Sequence, residues 1–225
     1  MEYNNFMKKK IIIFDLDGTL LNTLEDLTDS TNFALKSCSF PTKTIEEVKN
    51  FVGNGVSKLF ERAVPKGTKK EILIKCINIF KKHYSENMYH KTVPYNGIIQ
   101  LLKELKTNDY KIAVVSNKFD LAVKDLCKKY FADLIDFSAG ENENLGIKKK
   151  PAPDTVLKIL NKFNLNSEQA VYIGDSEVDI QTAKNSNIQC ISVTWGFKNR
   201  EFLISNGATN IANSPQEIIE IINNL

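Results

Sequence analysis

The segment 15–20, with the sequence Asp-Leu-Asp-Gly-Thr-Leu, contains the pair of side chains in this chain best suited to chemistry. It follows the apolar run 11–14, which has the composition of a buried strand. Residues two apart on an extended chain project to the same side, so the carboxylates of Asp15 and Asp17 can face one point, while Gly18 permits a sharp turn. Such a pair can hold a divalent cation, or one carboxylate can act as a nucleophile and the other as an acid and base.

Two other interpretations of segment 15–20 involve no catalysis. A calcium-binding EF-hand loop requires glycine at its sixth position and glutamate at its twelfth, and counting from Asp15 those positions hold Leu20 and Asp26. That interpretation therefore fails. A turn with two solvated aspartates stays open on this segment alone, so the decision depends on the rest of the chain.

Three later segments carry polar residues that could join this pair. Ser116 and Asn117 end a second apolar run and offer a hydroxyl and an amide to phosphate oxygens. Lys150 precedes a proline, which biases its backbone to an extended conformation and can fix its ammonium group. Asp175 and Asp179 lie four apart at the start of a predicted helix and therefore share one face. Taken singly, Ser116 and Asn117 more often mark an ordinary turn, Lys150 a solvated loop, and Asp175 and Asp179 helix caps.

The charges of these residues favour one shared site that includes a cation. Four aspartates, at positions 15, 17, 175 and 179, would repel one another in one crevice unless positive charge lies among them. Lys150 and a bound Mg²⁺ would supply three positive charges, and Mg²⁺ prefers carboxylate, water and phosphate oxygens. A zinc site is not expected, because His83 and His90 are seven residues apart with no cysteine or third histidine nearby.

Short apolar runs that end in a polar residue, each followed by a helical pattern, are the elements that would position these side chains. The runs predict strands over residues 11–14, 112–115, 171–173 and 191–193. The helical patterns cover residues 98–105, 121–131, 155–163 and 176–184, and a capping box with proline at 214–217 predicts a C-terminal helix. This alternation predicts an α/β fold with a doubly wound, Rossmann-like parallel sheet, which binds ligands at the carboxyl ends of its strands.

Residues 22–92 interrupt the alternation, because they contain helical patterns and no strand pattern. Helix starts are indicated at Thr23 and, by a capping box, at Thr44. We therefore expect an all-helical cap domain of residues 22–92, inserted after the first strand into a core of residues 1–21 and 93–225, with hinges at 21–23 and 93–97. Because the insertion borders segment 15–20, it is expected to close over the site, exclude water and leave room only for a small leaving group.

Composition and length exclude several classes of protein. The chain has 225 residues, 42% hydrophobic and 25% charged, with a net charge of +3, and gives no reason to expect a nucleic-acid or membrane partner. The first apolar run is too short for a signal peptide, and no run approaches a membrane span. Four widely spaced cysteines favour a reducing, cytoplasmic location. These features are compatible with a monomer or a homodimer.

The four segments, in this order and at these positions relative to the predicted strands, resemble the haloacid dehalogenase superfamily over nearly the whole chain. Within it the chain is similar to phosphoglycolate phosphatases, on the softer strings Asp-Leu-Thr at 26–28, Phe-Val-Gly-Asn-Gly at 51–55 and Val-Thr-Trp-Gly-Phe at 193–197. The resemblance implies a Mg²⁺-dependent phosphatase that acts on a small phosphorylated metabolite through an aspartyl-phosphate intermediate. It disfavours a dehalogenase, which needs neither a metal nor an acid at position 17.

The resemblance also implies a role for each matching residue. Asp15 would be the nucleophile, and Asp17 the acid for the leaving group and then the base for water. Ser116 and Lys150 would hold the transferred phosphoryl group. The implied substrate contacts are Thr19, Ser116, Asn117 and Lys150. The implied metal ligands are Asp15, Asp175 and the backbone carbonyl of Asp17. Gly174 and Asp179 would support them.

Three hypotheses about function stay distinct. The leading one is a phosphatase for 2-phosphoglycolate, with a pyrophosphatase or a sugar-phosphate phosphatase of the same superfamily as its nearest alternatives. A phosphomutase would keep the aspartyl-phosphate and return the phosphoryl group to a sugar. A non-catalytic binding protein is the least supported, because losing one of the motif residues would have favoured it and none is lost.

Overall fold

Strands and helices alternate along most of the chain. The computed structural model describes residues 9–142 and 146–225. Its strands are β1 (Ile11–Phe14), β2 (Leu21–Asn22), β3 (Val93–Pro94), β4 (Lys111–Phe119), β5 (Phe137–Glu141), β6 (Ala170–Gly174), β7 (Gln189–Val193) and β8 (Asn210–Ala212). Its α-helices are α1 (Leu24–Ser37), α2 (Ile45–Phe51), α3 (Val56–Ala63), α4 (Lys70–Asn87), α5 (Ile98–Thr107), α6 (Asp120–Phe131), α7 (Asp154–Lys162), α8 (Glu177–Asn185), α9 (Arg200–Ser205) and α10 (Glu217–Asn223).

Six of these strands form one parallel sheet in the order β5-β4-β1-β6-β7-β8. β1 lies between β4 and β6, with Ile12 opposite Ile112 on one side and Val171 on the other. Parallel strands in this register end at the same edge of the sheet. The polar residues at the carboxyl ends of β1, β4 and β6 are therefore neighbours there.

Both faces of the sheet are covered, which explains why its strands are apolar at successive positions. Ile12 and Phe14 belong to an apolar cluster with residues of α5, α6 and α10, whereas Ile11 and Ile13 belong to a second cluster with residues of α7 and α8. All four side chains are buried. The predicted α/β fold class, with a doubly wound parallel sheet and an inserted helical segment, is confirmed.

Some elements differ from the sequence predictions. β4 runs to Phe119, four residues beyond the predicted end, because the chain stays extended through the polar residues after its apolar run. The C-terminal helix begins at Glu217 rather than Pro215, since the residues before it form a turn held by backbone bonds from Glu217 and Ile218 to Ser214 and Pro215. The helices α3 and α9 and the strand β8 were not predicted. In α3 the residues Val56, Leu59, Phe60 and Ala63 follow a helical period that was overlooked, whereas α9 and β8 are too short to show a clear period.

The segment between β2 and β3 contains the helices α1 to α4. Apart from Asn22, which ends β2, residues 22–92 form no strand. α1 packs along α4, burying Leu35 of α1 and Phe80 of α4. The predicted capping box is present at the start of α2, where the Thr44 hydroxyl accepts from the Glu47 backbone N–H at 3.2 Å.

The two segments that were predicted as hinges lie side by side. β2 and β3 pair antiparallel, with Leu21 opposite Pro94 and Asn22 opposite Val93. The chain therefore enters and leaves the helical segment at one place, directly after segment 15–20. Among the described residues, no helix combines the length and the apolar character that crossing a membrane requires.

Candidate active site

Asp15 and Asp17 follow the end of β1 and enter a tight turn. The Asp15 backbone N–H donates to the Ile173 carbonyl at 2.9 Å, which continues the pairing with β6 by one residue. Gly18 then adopts φ +85°, and a side chain at this position would collide with the Asp175 carboxylate. Both the conformation and the space at position 18 therefore require glycine.

The carboxylate of Asp17 has partners from two distant elements. The Thr23 hydroxyl donates to it at 2.6 Å, and the Lys118 ammonium donates to both of its oxygens at 2.9 Å. Thr23 occupies the N-cap of α1 as predicted, but its hydroxyl serves Asp17 and does not cap the helix. The Lys118 side chain is only 4% exposed, so the ion pair with Asp17 is shielded from solvent.

Lys150 joins Asp15 to Asp179. Its Nζ atom donates to Asp179 Oδ1 at 2.7 Å and lies 2.9 Å from Asp15 Oδ1, a close ion pair without hydrogen-bond geometry. Burial raises the pKa of Asp15 to about 7, although the charge of Lys150 opposes the rise. Burial works to lower the pKa of Lys150, but Asp15 and Asp179 outweigh it and raise that pKa well above its ordinary value. Lys150 therefore stays a fixed cation between two carboxylates.

Asp175 and Asp179 complete the cluster of carboxylates. Asp175 follows β6 and accepts from the Phe197 backbone N–H at 2.6 Å and from the Thr19 hydroxyl at 3.3 Å. Asp179 lies in the first turn of α8, where its second oxygen accepts from the Ser176 hydroxyl at 2.6 Å. Burial, followed by repulsion from Asp179 and Asp15, raises the pKa of Asp175 well above its ordinary value. A side chain at Gly174, the last residue of β6, would overlap Asp179, so glycine there gives the carboxylate room.

The arrangement of the carboxylates fits a bound divalent cation. Asp15, Asp175 and Asp179 are buried, and one oxygen from each lies within 4.8 Å of the others. Asp15 Oδ1 is buried and accepts no hydrogen bond from the described residues. Both oxygens of Asp179 are already engaged, by Lys150 and by Ser176, which suits the supporting role that was predicted for this residue. Oxygen ligands of this kind match the preference of Mg²⁺.

The predicted substrate-binding residues lie at the same edge of the sheet, with differing surroundings. Ser116 is buried near the end of β4, and its Oγ accepts from the Lys118 backbone N–H at 3.3 Å. Asn117 donates from its side-chain nitrogen to the Gly53 carbonyl at 3.1 Å and to the Lys150 carbonyl at 3.0 Å. The Thr19 hydroxyl donates to Asp175 instead. The geometry thus places Asn117 and Thr19 in contact with the protein, and their predicted contacts with substrate stay predictions.

A partly open cavity lies between the sheet edge and the helical segment. Its volume is about 60 Å³, which suits a small molecule better than a peptide. Its sheet side carries Asp15, Asp17, Ser116, Lys118 and Asp175. Its helical side carries Leu27, Val52, Gly53, Gly55, Val56, Leu59, Phe80 and Tyr84. The cavity is therefore polar at the sheet and largely apolar under the helices.

Lys118 is the functional residue that the sequence analysis missed. It stands two residues after Ser116 on an extended strand, so both side chains project to the same side, by the relation that also joins Asp15 to Asp17. That spacing could have identified it. By contrast, no local signal links Asp175 to the backbone of Phe197, because the contact joins two loops.

Comparisons with known proteins agree with this geometry. A family model described as haloacid dehalogenase-like hydrolase matches residues 12–193. The phosphoglycolate phosphatase of Aquifex aeolicus is 32% identical over 189 residues, which are 84% of this chain and 86% of that protein. The phosphoglycolate phosphatase of Psychrobacter arcticus is 34% identical over 199 residues, covering 85% and 86%.

Solved structures agree as well. The crystal structure of a Lactobacillus delbrueckii protein, provisionally assigned as a phosphoglycolate phosphatase, is similar with a TM-score of 0.90 at 36% identity. The similarity covers 96% of this chain and 99% of that one. The shared architecture therefore includes both the sheet and the helical segment.

Proposed function

Because this chain belongs to the haloacid dehalogenase-like hydrolase family and is a phosphoric monoester hydrolase, we propose that it hydrolyses 2-phosphoglycolate to glycolate and phosphate with the help of Mg²⁺. The observation that carries the proposal is the arrangement at the end of β1. There Asp15 lies beside Lys150, and Asp17 faces the cavity with Lys118. Two carboxylates, suited to the roles of nucleophile and acid, thus lie beside two ammonium groups in one site.

The first chemical step transfers the phosphoryl group to Asp15. A carboxylate oxygen of Asp15 attacks phosphorus, and the bond between phosphorus and the ester oxygen breaks. Asp17, in its protonated form, gives its proton to that oxygen, so glycolate leaves with a neutral hydroxyl group. The product on the enzyme is an aspartyl-phosphate.

The second step hydrolyses this intermediate. The Asp17 carboxylate now takes a proton from a water molecule, and the water oxygen attacks phosphorus. The bond between phosphorus and the Asp15 oxygen breaks, which releases phosphate and restores the Asp15 carboxylate. Asp17 thereby regains the proton that it gave to the leaving group in the first step.

The remaining polar residues hold the charge of the phosphoryl group. Lys150 is positioned by Asp179 and lies against the nucleophile, so its ammonium would neutralise charge on the transferred group. The Ser116 hydroxyl would bind a phosphoryl oxygen. Asp15, Asp175 and the backbone carbonyl of Asp17 would hold Mg²⁺, which when bound offsets the negative charge of the phosphoryl group and the carboxylates.

Two features support a small anionic substrate. The helical segment, proposed here to act as a cap domain, covers one side of the cavity over the site. Lys118 places a buried ammonium between Asp17 on the polar side of the cavity and the Tyr84 ring on its apolar side, where an anionic leaving group would be favoured over a neutral one. The two relatives named as phosphoglycolate phosphatases support the same choice. Inorganic pyrophosphate and small sugar phosphates are the competing substrates.

The test is a comparison of kcat/KM with Mg²⁺ for 2-phosphoglycolate, pyrophosphate, a glucose phosphate and a phosphopeptide. We expect 2-phosphoglycolate to have the highest value, the phosphopeptide to be inert, and excess EDTA to abolish all turnover. A higher value for pyrophosphate or a glucose phosphate would overturn the substrate assignment. Full activity in EDTA would overturn the role of the metal, and transfer from one sugar position to another would indicate a mutase.

A further inference from the structure

Tyr84 of α4 is a buried polar residue that the proposed mechanism does not use. It is fully buried, and its hydroxyl has no hydrogen-bond partner among the described residues. Its ring is held between Phe80, at 5.4 Å between centroids, and Phe119, at 6.2 Å. Buried tyrosine hydroxyls are normally hydrogen-bonded, and leaving one unpaired costs free energy. The position of Tyr84 therefore calls for a functional explanation.

The place of Tyr84 in the cavity points to such an explanation. Of the lining residues that the helical segment contributes, it alone has a polar side chain. The Lys118 ammonium lies 4.5 Å from the centre of its ring. Lys118 and the partly exposed Lys198 are the two cations on the cavity lining, and of these Lys118 is the one that contacts the ring of Tyr84. A polar group on a ligand that extends from the sheet edge toward the helical segment therefore approaches the Tyr84 side chain and the Lys118 ammonium together.

The protonation state of Tyr84 decides what it can offer. Burial, reinforced by the charge of Asp17, raises the pKa of its hydroxyl well above the ordinary value. The phenol therefore stays neutral and keeps its proton. It can donate a hydrogen bond to an anionic oxygen, and it is not an acid or base for the reaction.

We propose that Tyr84 is a specificity-determining residue whose hydroxyl donates a hydrogen bond to the carboxylate of the leaving group, with Lys118 supplying the opposite charge. This inference rests on the proposed function. A carboxylate fits because it accepts from the phenol with one oxygen and faces the ammonium with its charge. A neutral leaving group would leave Lys118 without that second partner.

The experiment compares two substrates that differ only in the recognised group. Ethyl phosphate has a methyl group where 2-phosphoglycolate has its carboxylate. We measure kcat/KM for both with wild type and with Tyr84→Phe, which removes only the hydroxyl. The ratio of the 2-phosphoglycolate value to the ethyl phosphate value should fall by about tenfold or more in the variant, because a hydrogen bond to a charged group is lost.

A matched control removes a hydroxyl elsewhere. Tyr130 donates to the Thr92 carbonyl at 2.7 Å and does not line the cavity, so Tyr130→Phe should keep the wild-type ratio. The Tm of Tyr84→Phe should equal or exceed that of wild type, since an unpaired buried hydroxyl is removed.

Three outcomes would overturn the inference. An unchanged ratio in Tyr84→Phe, with 2-phosphoglycolate still hydrolysed by wild type, would overturn this inference and leave the proposed function standing. An equal loss on both substrates together with a lower Tm would assign Tyr84 a structural role instead. Wild type that does not hydrolyse 2-phosphoglycolate would overturn the proposed function itself, and the inference with it.

Discussion

Asp15, Lys150 and Asp179 form a chain of buried charges in which each group is held by the next. The two carboxylates share one ammonium, at 2.9 Å and 2.7 Å, and none of the three is more than slightly exposed. Such clusters are costly to assemble, and breaking one by removing a single charge usually destabilises a protein. Here two carboxylates share one ammonium group. Neutralising one carboxylate therefore relieves repulsion and still leaves Lys150 with an anionic partner.

The first prediction concerns the nucleophile. Asp15→Asn should keep the fold, with a free energy of unfolding within about 1 kcal/mol of wild type, because Lys150 keeps its bond to Asp179. Its kcat should fall at least about 10³-fold, since no carboxylate remains to attack phosphorus. Steady-state kinetics and chemical denaturation measure the two effects. Asp133→Asn, an exposed change, is the control, and substantial activity in Asp15→Asn would contradict the mechanism.

The second prediction concerns the ion pair between Asp17 and Lys118. Lys118→Met should lower the free energy of unfolding by about 3 kcal/mol, because the buried Asp17 carboxylate loses its cation. The double variant with Asp17→Asn should recover much of that loss, as a double-mutant cycle by urea denaturation can show. Lys124→Met removes an exposed pair with Asp120 and should change stability by at most about 1 kcal/mol. A strictly additive double variant would show that the pair is uncoupled.

At the scale of elements, Asn117 at the end of β4 links the edge of the sheet both to the helical segment and to the loop before α7. Asn117 donates to the Gly53 carbonyl in the loop between α2 and α3, and to the Lys150 carbonyl in the loop before α7. β2 and β3 join the same two parts of the molecule at the other side. The positions of the helical segment and of Lys150 are therefore both tied to this one carboxamide.

The third prediction follows from that contact. Asn117→Ala should lower the free energy of unfolding by about 1–3 kcal/mol, since two buried hydrogen bonds are lost. Amide hydrogens of residues 52–56 should exchange faster, because the loop loses its contact with β4. Hydrogen exchange followed by mass spectrometry measures this, with Asn161→Ala on the exposed face of α7 as the control. Unchanged exchange in 52–56 would show that Asn117 does not hold the loop.

At the scale of the whole molecule, the buried carboxylates make stability depend on pH and, under the proposed function, on Mg²⁺. Burial raises the pKa of Asp15 from the ordinary 3.8 to about 7 and raises that of Asp175 well above its ordinary value. A carboxyl group with a higher pKa in the folded chain binds protons preferentially there. Its favourable contribution is complete below pH 3.8 and is lost as the pH rises through about 7. The metal-free site therefore opposes folding at alkaline pH.

The fourth prediction combines these effects. Mg²⁺ binds the ionised carboxylates, so it should raise the Tm of the protein, relative to EDTA, more at about pH 8 than at about pH 5. Thermal unfolding in EDTA and in excess Mg²⁺ at the two pH values measures the difference. Asp175→Asn should reduce the Mg²⁺-induced rise at both. Equal rises at the two pH values in wild type would contradict the assignment of these carboxylates to the metal.

The sequence by itself determined the local features of this protein. An apolar run followed by Asp15 and Asp17 predicts a buried strand and a turn with two carboxylates on one side, because side-chain alternation along a strand depends only on neighbouring residues. The parallel sheet and the helical insertion followed from the order of such runs. The end of β4, the start of α10 and the shortest elements were not predictable. Tertiary contacts, and not the hydrophobic period, decide where a helix or strand begins and ends.

Only the tertiary structure decided which side chains meet. Lys118 reaches Asp17 over 101 positions because the register of β4 against β1 places their ends together. The backbone of Phe197 reaches Asp175, and Asn117 reaches Gly53, because loops from different elements converge over the same sheet edge. Each of these contacts depends on the packing of elements far apart in the chain. Hydrophobic period and residue type predict that these strand ends share one edge of the sheet, but they do not determine which atoms bond there. The individual hydrogen-bond partners of the candidate site residues therefore emerge only when the chain is folded.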